Sequence, residues 1–396
     1  MLLKSIKIKN LFVFITVFFL LGSNQLSAQN FPKLGNDSLL DVANWNVEWF
    51  GDISNGPTDE ATQFANVKAM LEKTDMDVFA LEEISNANAY NSLSSALAAK
   101  YDTYISAFSQ TQKMGIYWKK SMFDVIIDSS FDILNSQASK FGGRSPLRVA
   151  LKTKGGTKTD TLYFIVLHMK AFADVNSYNN RVDGSNALKT YLESVLRGTK
   201  YIVLGDWNDD LDESIYNASV SPYKNFLNAN YTFPSKELTD AGKSSYAFSV
   251  NMIDHQMISK TLDSFYFKGS AKVLDNAATY CTGFSNNTSD HYPIYSYFDW
   301  KKLTTRVIPA GLENSVHSAD VNVYPNPAKS SLIIQCDKEL TGVQVCNLQG
   351  QVCIKQELYL SPTNTLELAI QDLEAGMYYL KIESGNTILT KPFVKQ

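Results

Sequence analysis

The chain has 396 residues, 36 Lys and Arg against 40 Asp and Glu, a formal charge of -4 and 44% hydrophobic residues. That balance excludes a strongly basic nucleic-acid binder, but not an enzyme that meets phosphate through a metal. With 22 Phe and 21 Tyr it is no disordered tail, and four Cys are too few to staple it, so a hydrophobic core must carry a length that admits two domains.

Residues 1–28 read as a signal peptide for export. Lys4, Lys7 and Lys9 give a basic start, Leu11 to Leu21 is an apolar run broken only by Thr16, and Ser27-Ala28 offers a small-residue cleavage point. The run is short for a bilayer span, and no later stretch approaches that length. No integral membrane segment is therefore expected in the mature chain.

From Asp37 to Trp300, short apolar strands alternate with amphipathic helices. Leu39 to Trp49 is strand-like. Asp59 to Lys73 follows as a helix with Phe64, Val67, Met70 and Leu71 on one face. Met76 to Ile84 is again a strand, and Ala87 to Lys100 an Ala-rich helix. Val149 to Lys152 and Thr161 to His168 flank Gly155-Gly156, a hairpin signal. Asn186 to Leu196 reads as a helix ended by Gly198, and Tyr201 to Leu204 as a buried strand. Hairpin and helical connections together predict mixed sheets covered by helices. The texture changes after Trp300. Lys301 to Ala319 is linker-like, and short β-rich runs separated by turn residues then predict a small β-sandwich.

Chemistry concentrates where polar residues interrupt strand ends. Asn46 lies late in the first strand, Glu82-Glu83 follow Val78 to Leu81, and His168 closes Phe164 to Leu167. Asp206 and Asn208 follow Ile202 to Gly205, Asp254-His255 interrupt a Met/Ile run, and Asp290-His291 open Tyr292 to Tyr295. Hard oxygen donors at Asn46, Glu83, Asp206, Asn208 and Asp290 suit Mg²⁺ or Mn²⁺, with Ca²⁺ also admitted. Only four His exist, and His168 and His291 sit among these donors, where an imidazole pair can act as acid and base. Metal with acid and base is what attack of water on phosphorus requires. The bland readings point elsewhere: Glu48 and Glu82 as solvated carboxylates, His255 and His317 as background, Cys281 as a buried small hydrophobe, and Trp45, Trp49 and Trp207 mostly as core.

These segments resemble the endonuclease/exonuclease/phosphatase superfamily, the deoxyribonuclease I-like hydrolases. NWNVEWFG (44–51), LEEI (81–84), RSP (144–146), LHMKA (167–171), LGDWND (204–209) and SDHYP (289–293) follow its motif order. The resemblance implies an α+β fold, a four-layer α/β/β/α sandwich of two packed mixed sheets flanked by helices, over residues 37–305. It implies metal ligands at Asn46, Glu83 and Asp290, and catalytic roles for His168, Asp206, Asn208, Asp254 and His291. Asp254 would orient His291, the general base would be His291 or Asp206, and Arg144 and Lys170 would bind substrate phosphate. The chain departs from the family pattern at Glu82, where Gln is usual, and at Trp207, where Phe is usual.

VYPNPA (323–328), NLQG (347–350), DLEAGMYYLKI (372–382) and the KPFVKQ ending resemble the type A C-terminal sorting domain of Bacteroidetes type IX secretion. That implies a small Ig-like all-β sandwich over residues 320–396 after a linker at 306–319, with the type IX machinery as partner. It also implies release outside the cell or attachment to its surface. Cys336, Cys346 and Cys353 leave room there for one disulfide. Together the segments point to a secreted divalent-metal-dependent phosphodiesterase acting on extracellular DNA or RNA. The alternatives are a phosphatase or sphingomyelinase-like phospholipid head-group hydrolase, and a non-catalytic surface binding protein on the same scaffold.

Overall fold

A computed structural model describes residues 30–305 and 321–396, apart from 341, 349, 359–362 and 385–386. The signal peptide and nearly all of the linker expected from the sequence lie outside these residues. The chain divides into two compact units at Thr305.

In the first unit the strands are β1 (Leu40–Phe50), β2 (Val78–Ile84), β3 (Tyr101–Ile105), β4 (Lys113–Lys119), β5 (Phe123–Val125), β6 (Phe131–Asp132), β7 (Leu147–Thr153), β8 (Thr161–His168), β9 (Lys200–Asp206), β10 (Asp254–Ile258), β11 (Lys272–Val273) and β12 (Ile294–Phe298). One sheet has the order β11-β12-β1-β2-β4-β3, the other β10-β9-β8-β7-β5 with β6 beside β7. Each contains one parallel pair, β1 with β2 and β8 with β9, among antiparallel neighbours. The parallel pairs are where a helix bridges the strands: α1 (Glu60–Thr74) joins β1 to β2, and α3 (Val175–Ser194) joins β8 to β9. A further helix, α2 (Ala87–Leu97), follows β2 under an Asn86 cap whose side chain accepts from the backbone of Asn88 and Ala89.

Period-2 alternation sorts the strand residues into layers. Val42, Val78, Ala80, Ile116, Val149, Phe164 and Ile202 form the core between the sheets. The opposite face of the first sheet (Ala43, Trp45, Phe79, Leu81) packs on α1 and α2 through Val67, Met70, Leu71, Leu93 and Leu97. The opposite face of the second (Ile165, Leu167, Tyr201, Val203) packs on Leu188 and Leu192 of α3. This is the four-layer α/β/β/α sandwich.

Two details differ from the sequence reading. The third helix starts at Val175, eleven residues before Asn186, because Asp174 caps it and its first half buries Arg181 and Gly184 instead of a stripe of Leu and Val. A Cβ at Gly184 would stand 2.8 Å from Met169 Cε and 3.0 Å from the Lys140 carbonyl, so this mid-helix glycine lets the helix approach closely. The linker-like stretch from Lys301 begins inside a short helix, Trp300–Thr304, capped by Asp299.

In the second unit, strands β13 (Val321–Tyr324), β14 (Ser331–Leu340) and β17 (Thr363–Ala369) form one antiparallel sheet. Strands β15 (Gly342–Cys346), β16 (Val352–Glu357), β18 (Gly376–Ser384) and β19 (Thr387–Lys395) form the other. Leu332, Ile334, Val343, Val345, Leu380, Ile382 and Phe393 fill the space between, the Ig-like all-β arrangement. Among the described residues no cysteine is in a disulfide. No described helix is long and apolar enough to cross a membrane.

Candidate active site

The stripe that forms the inter-sheet core changes character at one end. On β1 it runs Leu40, Val42, Asn44, Asn46; on β2, Val78, Ala80, Glu82; on β8, Phe164, Val166, His168; on β9, Ile202, Leu204, Asp206. All four strands end at the same edge, because β8 and β9 pair His168 with Asp206 in parallel, and β1 and β2 pair Asn46 with Glu82. Strand β10 starts there, Asp254 opposite Asp206. The loop before β12 delivers Ser289 to His291 to the same edge.

Glu83 reaches this cluster by a break in alternation. Strict period 2 would turn it toward the helices with Phe79 and Leu81, but its φ of +61° and the register shift after Leu81 re-aim it. Left-handed backbone at a Glu is uncommon and strained, and neighbours hold it: the Trp49 amide donates to Glu83 Oε2 at 3.0 Å and Asn46 Nδ2 to Oε1 at 3.1 Å.

Asp206 is the hub. Its Oδ2 accepts from Asn46 Nδ2 at 3.0 Å and lies 3.5 Å from His168 Nε2 and 3.9 Å from His291 Nε2. Its Oδ1 accepts from the Asn208 amide at 2.8 Å. His168 Nε2 is also 3.6 Å from Glu83 Oε1. On the far side, His291 Nδ1 pairs with Asp254 Oδ2 at 2.8 Å, while Nε2 is 3.9 Å from Asp290 Oδ1. Glu83, His168 and Asp206 therefore form one group of donor atoms close enough to share an ion, and Asp206, Asp254 and His291 a second. Glu83, His168, Asp206, Asn208, Asp290 and His291 line one cavity of about 420 Å³.

The two imidazoles are tuned in opposite directions. Burial, with the Arg144 charge nearby, holds His168 well below its ordinary value. Burial also works against a charged His291, but Asp254, Asp206 and Asp290 outweigh it and hold that imidazole well above the usual range. Burial pushes Asp206 up to about 7 and raises Asp290.

The remaining expected residues lie at the edges of this cluster. Asn46 turns its amide nitrogen to both carboxylates and its oxygen to the Glu48 amide at 2.9 Å. Asn208 Nδ2 donates to the Met169 carbonyl at 3.3 Å. Arg144 is buried and donates to Gln112 Oε1 at 2.7 Å and to the His168 and Met169 carbonyls at 3.3 and 2.7 Å, so it braces the backbone that carries His168. Lys170 immediately precedes the lining residues Ala171 to Ala173, with its ammonium 4.8 Å from the Phe172 ring centre.

Two readings are corrected. Glu82, expected to be solvated, is fully buried with neither carboxyl oxygen hydrogen-bonded, because it continues the inward stripe of Val78 and Ala80. Burial, then Asp254 and Asp206, pushes it well above its ordinary value. Glu48, also expected to be solvated, is half-buried, accepts from the Asp290 amide at 2.9 Å and is pushed up to about 7 by burial and Asp290. Sequence reasoning also missed Tyr246 and Gln63. The Tyr246 ring lies 5.1 Å from that of His291, and a β-bridge links the two residues. Gln63 of α1 donates to the carbonyls of Val47, Glu48 and Thr288, tying the first strand to the loop that carries His291. No periodicity announces Tyr246. Gln63 sat on a helix face that Phe64 and Val67 made look purely apolar.

Residues 43–291 match the model of the Endonuclease/Exonuclease/phosphatase family, and residues 322–396 that of the Secretion system C-terminal sorting domain. No curated protein matches the chain. Solved structures that resemble it include D. rerio TDP2 complexed with a single-strand DNA product, at 15% identity and a TM-score of 0.50 over 66% of this chain and 99% of that one. Humanized D. rerio TDP2 carrying 14 mutations has 15% identity and a TM-score of 0.49 over 66% and 99%. An AP endonuclease from Archaeoglobus fulgidus has 15% and 0.47 over 66% and 99%. At 15% identity, the likeness to the DNA-product complex, with its TM-score of 0.50, speaks for the fold alone.

Proposed function

Since the chain belongs to the endonuclease/exonuclease/phosphatase family of phosphoric ester hydrolases and carries a sorting domain that indicates export, we propose that it is a secreted, divalent-metal-dependent nuclease acting on extracellular DNA or RNA. The observation that carries the reading is the sharing of Asp206 between the Glu83–His168 group and the Asp254–His291 group at one cavity.

The donors fit a hard cation. Glu83, Asp206 and Asp290 are crowded together, and among the described residues no Lys or Arg forms an ion pair with any of them. In this reading Glu83 and Asp290 would hold Mg²⁺ or Mn²⁺, Ca²⁺ being the third candidate, while Asn46, expected as a third ligand, braces the Glu83 and Asp206 carboxylates with its oxygen turned to the Glu48 amide. Such an ion supplies Lewis acidity toward a phosphoryl oxygen. Asp254 fixes the Nδ1 proton of His291 and leaves Nε2 facing the cavity, free to take up or deliver a proton. His168, kept neutral, is the second member of the pair about the phosphorus, donating or accepting through Nε2. Asp206 and Asn208 position the attacked phosphate and the water, Asp206 sharing with His291 the candidacy for general base. Arg144 acts through the His168 backbone it supports. Export follows the type IX route, with the N-terminal 28 residues as the first-step signal.

A substrate panel tests this. DNA or RNA is expected to be degraded with Mg²⁺ or Mn²⁺ and left intact with chelator. Hydrolysis confined to sphingomyelin, inositol phosphates or sugar phosphates would replace the nuclease reading with the phosphatase or head-group one.

A further inference from the structure

On the rim of the cavity, Phe172 is 69% exposed, a large aromatic ring offered to solvent. Its backbone has φ +83°, a conformation that glycine adopts freely and a Phe does not. The strain is imposed from below. Arg181 is completely buried, its Nε donates to Asp209 Oδ2 at 2.8 Å, and its Nη1 donates to the carbonyls of both Lys170 and Phe172 at 2.8 Å. Asp209 is held in turn by Ser214 Oγ and the Ile215 amide, both at 2.8 Å. A fully buried ion pair thus pins a strained loop in which the Phe172 ring is left exposed. Burial in the fold does not explain that ring, and its place on the cavity rim suggests that a ligand does.

We propose that Phe172 is a specificity residue that stacks on the nucleobase next to the scissile phosphate, with Lys170 placed for the adjoining phosphate and Arg181 as the positioning residue. The inference rests on the phosphodiesterase reading and names the part of the substrate that reading leaves open. A nucleotide offers a flat π-face one bond system away from an anion. Here a ring that lines a cavity of about 420 Å³ carries an ammonium 4.8 Å from its centre, in a chain with no basic excess to hold the backbone otherwise. The facing loop turns Ser249 and Asn251 into the cavity, groups that suit base edges and sugars. Phe248 and Val250, which alternate with them, are exposed, so a lipid surface is the competing occupant.

The test is equilibrium binding with Mg²⁺ in a turnover-blocked His291→Ala background of the full chain. The probe is a single-stranded oligonucleotide carrying 2-aminopurine, compared with the same strand bearing an abasic analogue at that position. The expected result is fluorescence quenching and a Kd that weakens roughly 5- to 100-fold on Phe172→Ala, the usual scale for one stacked base. The abasic strand should bind both proteins alike, and Phe172→Trp should restore the preference. Phe172→Gly, which the backbone favours, should abolish base discrimination and be at least as resistant to urea as the parent. Equal loss on both strands, no loss on either, no binding by the parent, or displacement by phosphocholine vesicles regardless of the base would overturn the proposal. Cleavage by the wild type is read separately. An oligonucleotide cut but bound without base preference removes the stacking role alone; one stacked but never cut removes the nuclease reading alone.

Discussion

At one end of the layer between the sheets, Leu40, Val42, Val78, Phe164 and Ile202 exclude water. At the other, on the same strands and the same face, stand Asn46, Glu82, His168 and Asp206, hardly more exposed. The backbone is continuous, so the difference lies in what burial does to the side chains. Apolar burial stabilises by roughly 25 cal/mol per Å². Burial of carboxyls and imidazoles opposes their charged forms, raising Glu82 and Asp206 and depressing His168. One end of the stripe holds the sandwich together, and the other spends part of that stability on groups kept in unusual protonation states.

The contrast predicts opposite responses to mutation. Phe164→Ala, at the apolar end, should lower unfolding free energy by about 3–5 kcal/mol in urea titrations, the range for emptying an aromatic site. A loss under 1 kcal/mol would show that the site can collapse and that the sheets are less tightly packed than they look. His291→Ala, at the polar end, should lower cleavage by more than about 10²-fold while leaving the urea midpoint nearly in place. Asp254→Asn should reproduce part of that loss, since the imidazole would keep its position and lose the carboxylate that orients it. Activity within a few-fold of wild type in His291→Ala would detach this residue from the chemistry.

Glu82→Gln sharpens the comparison further. Both oxygens of Glu82 are buried without partners, so an uncharged amide there avoids the cost of suppressing a carboxylate. It should raise stability by about 1–3 kcal/mol at neutral pH and leave cleavage within a few-fold. Destabilisation would show that the acid makes an interaction the amide cannot replace.

The outline of this arrangement was legible in the sequence because a strand's last inward residue is a fixed place. Once Phe164 to Leu167 and Ile202 to Gly205 were read as strands, His168 and Asp206 had to stand at their ends. What was illegible came from exceptions to period. Adjacent acids on one strand should face opposite ways, and only the left-handed backbone at Glu83 lets it join the cavity while Glu82 stays on the inward stripe. The first half of α3 carries Asn, Asp, Gly and Arg where a helix face should be apolar, since it buries an ion pair and a close backbone approach. Tyr246 lies in a loop, and only its bridge to His291 brings it to the site.

Asp41 breaks the simple opposition, because it is a charged residue at the apolar end of β1. It is fully buried with Oδ1 unpartnered, its Oδ2 accepts from the Asn36 amide at 2.7 Å, and its own amide donates to Asp77 at 3.0 Å. Burial, then the Asp77 charge, pushes it up to about 8 from an ordinary 3.8. An acid whose folded value lies above its unfolded one binds more protons when folded, so its contribution is fully present below about pH 4 and is lost as pH rises toward 8. Between those limits the wild type should lose at most about 1.4 kcal/mol per pH unit through this group. Asp41→Asn should flatten the pH dependence of the urea midpoint over that interval and gain most over wild type near pH 8. Cleavage should be unchanged, because the residue lies at the opposite end of the strand from Asn46. If the two proteins keep parallel stability profiles between pH 5 and 8, Asp41 is ionised in the fold, and the Lys119–Asp77 pair beside it compensates more charge than its 2.8 Å contact implies.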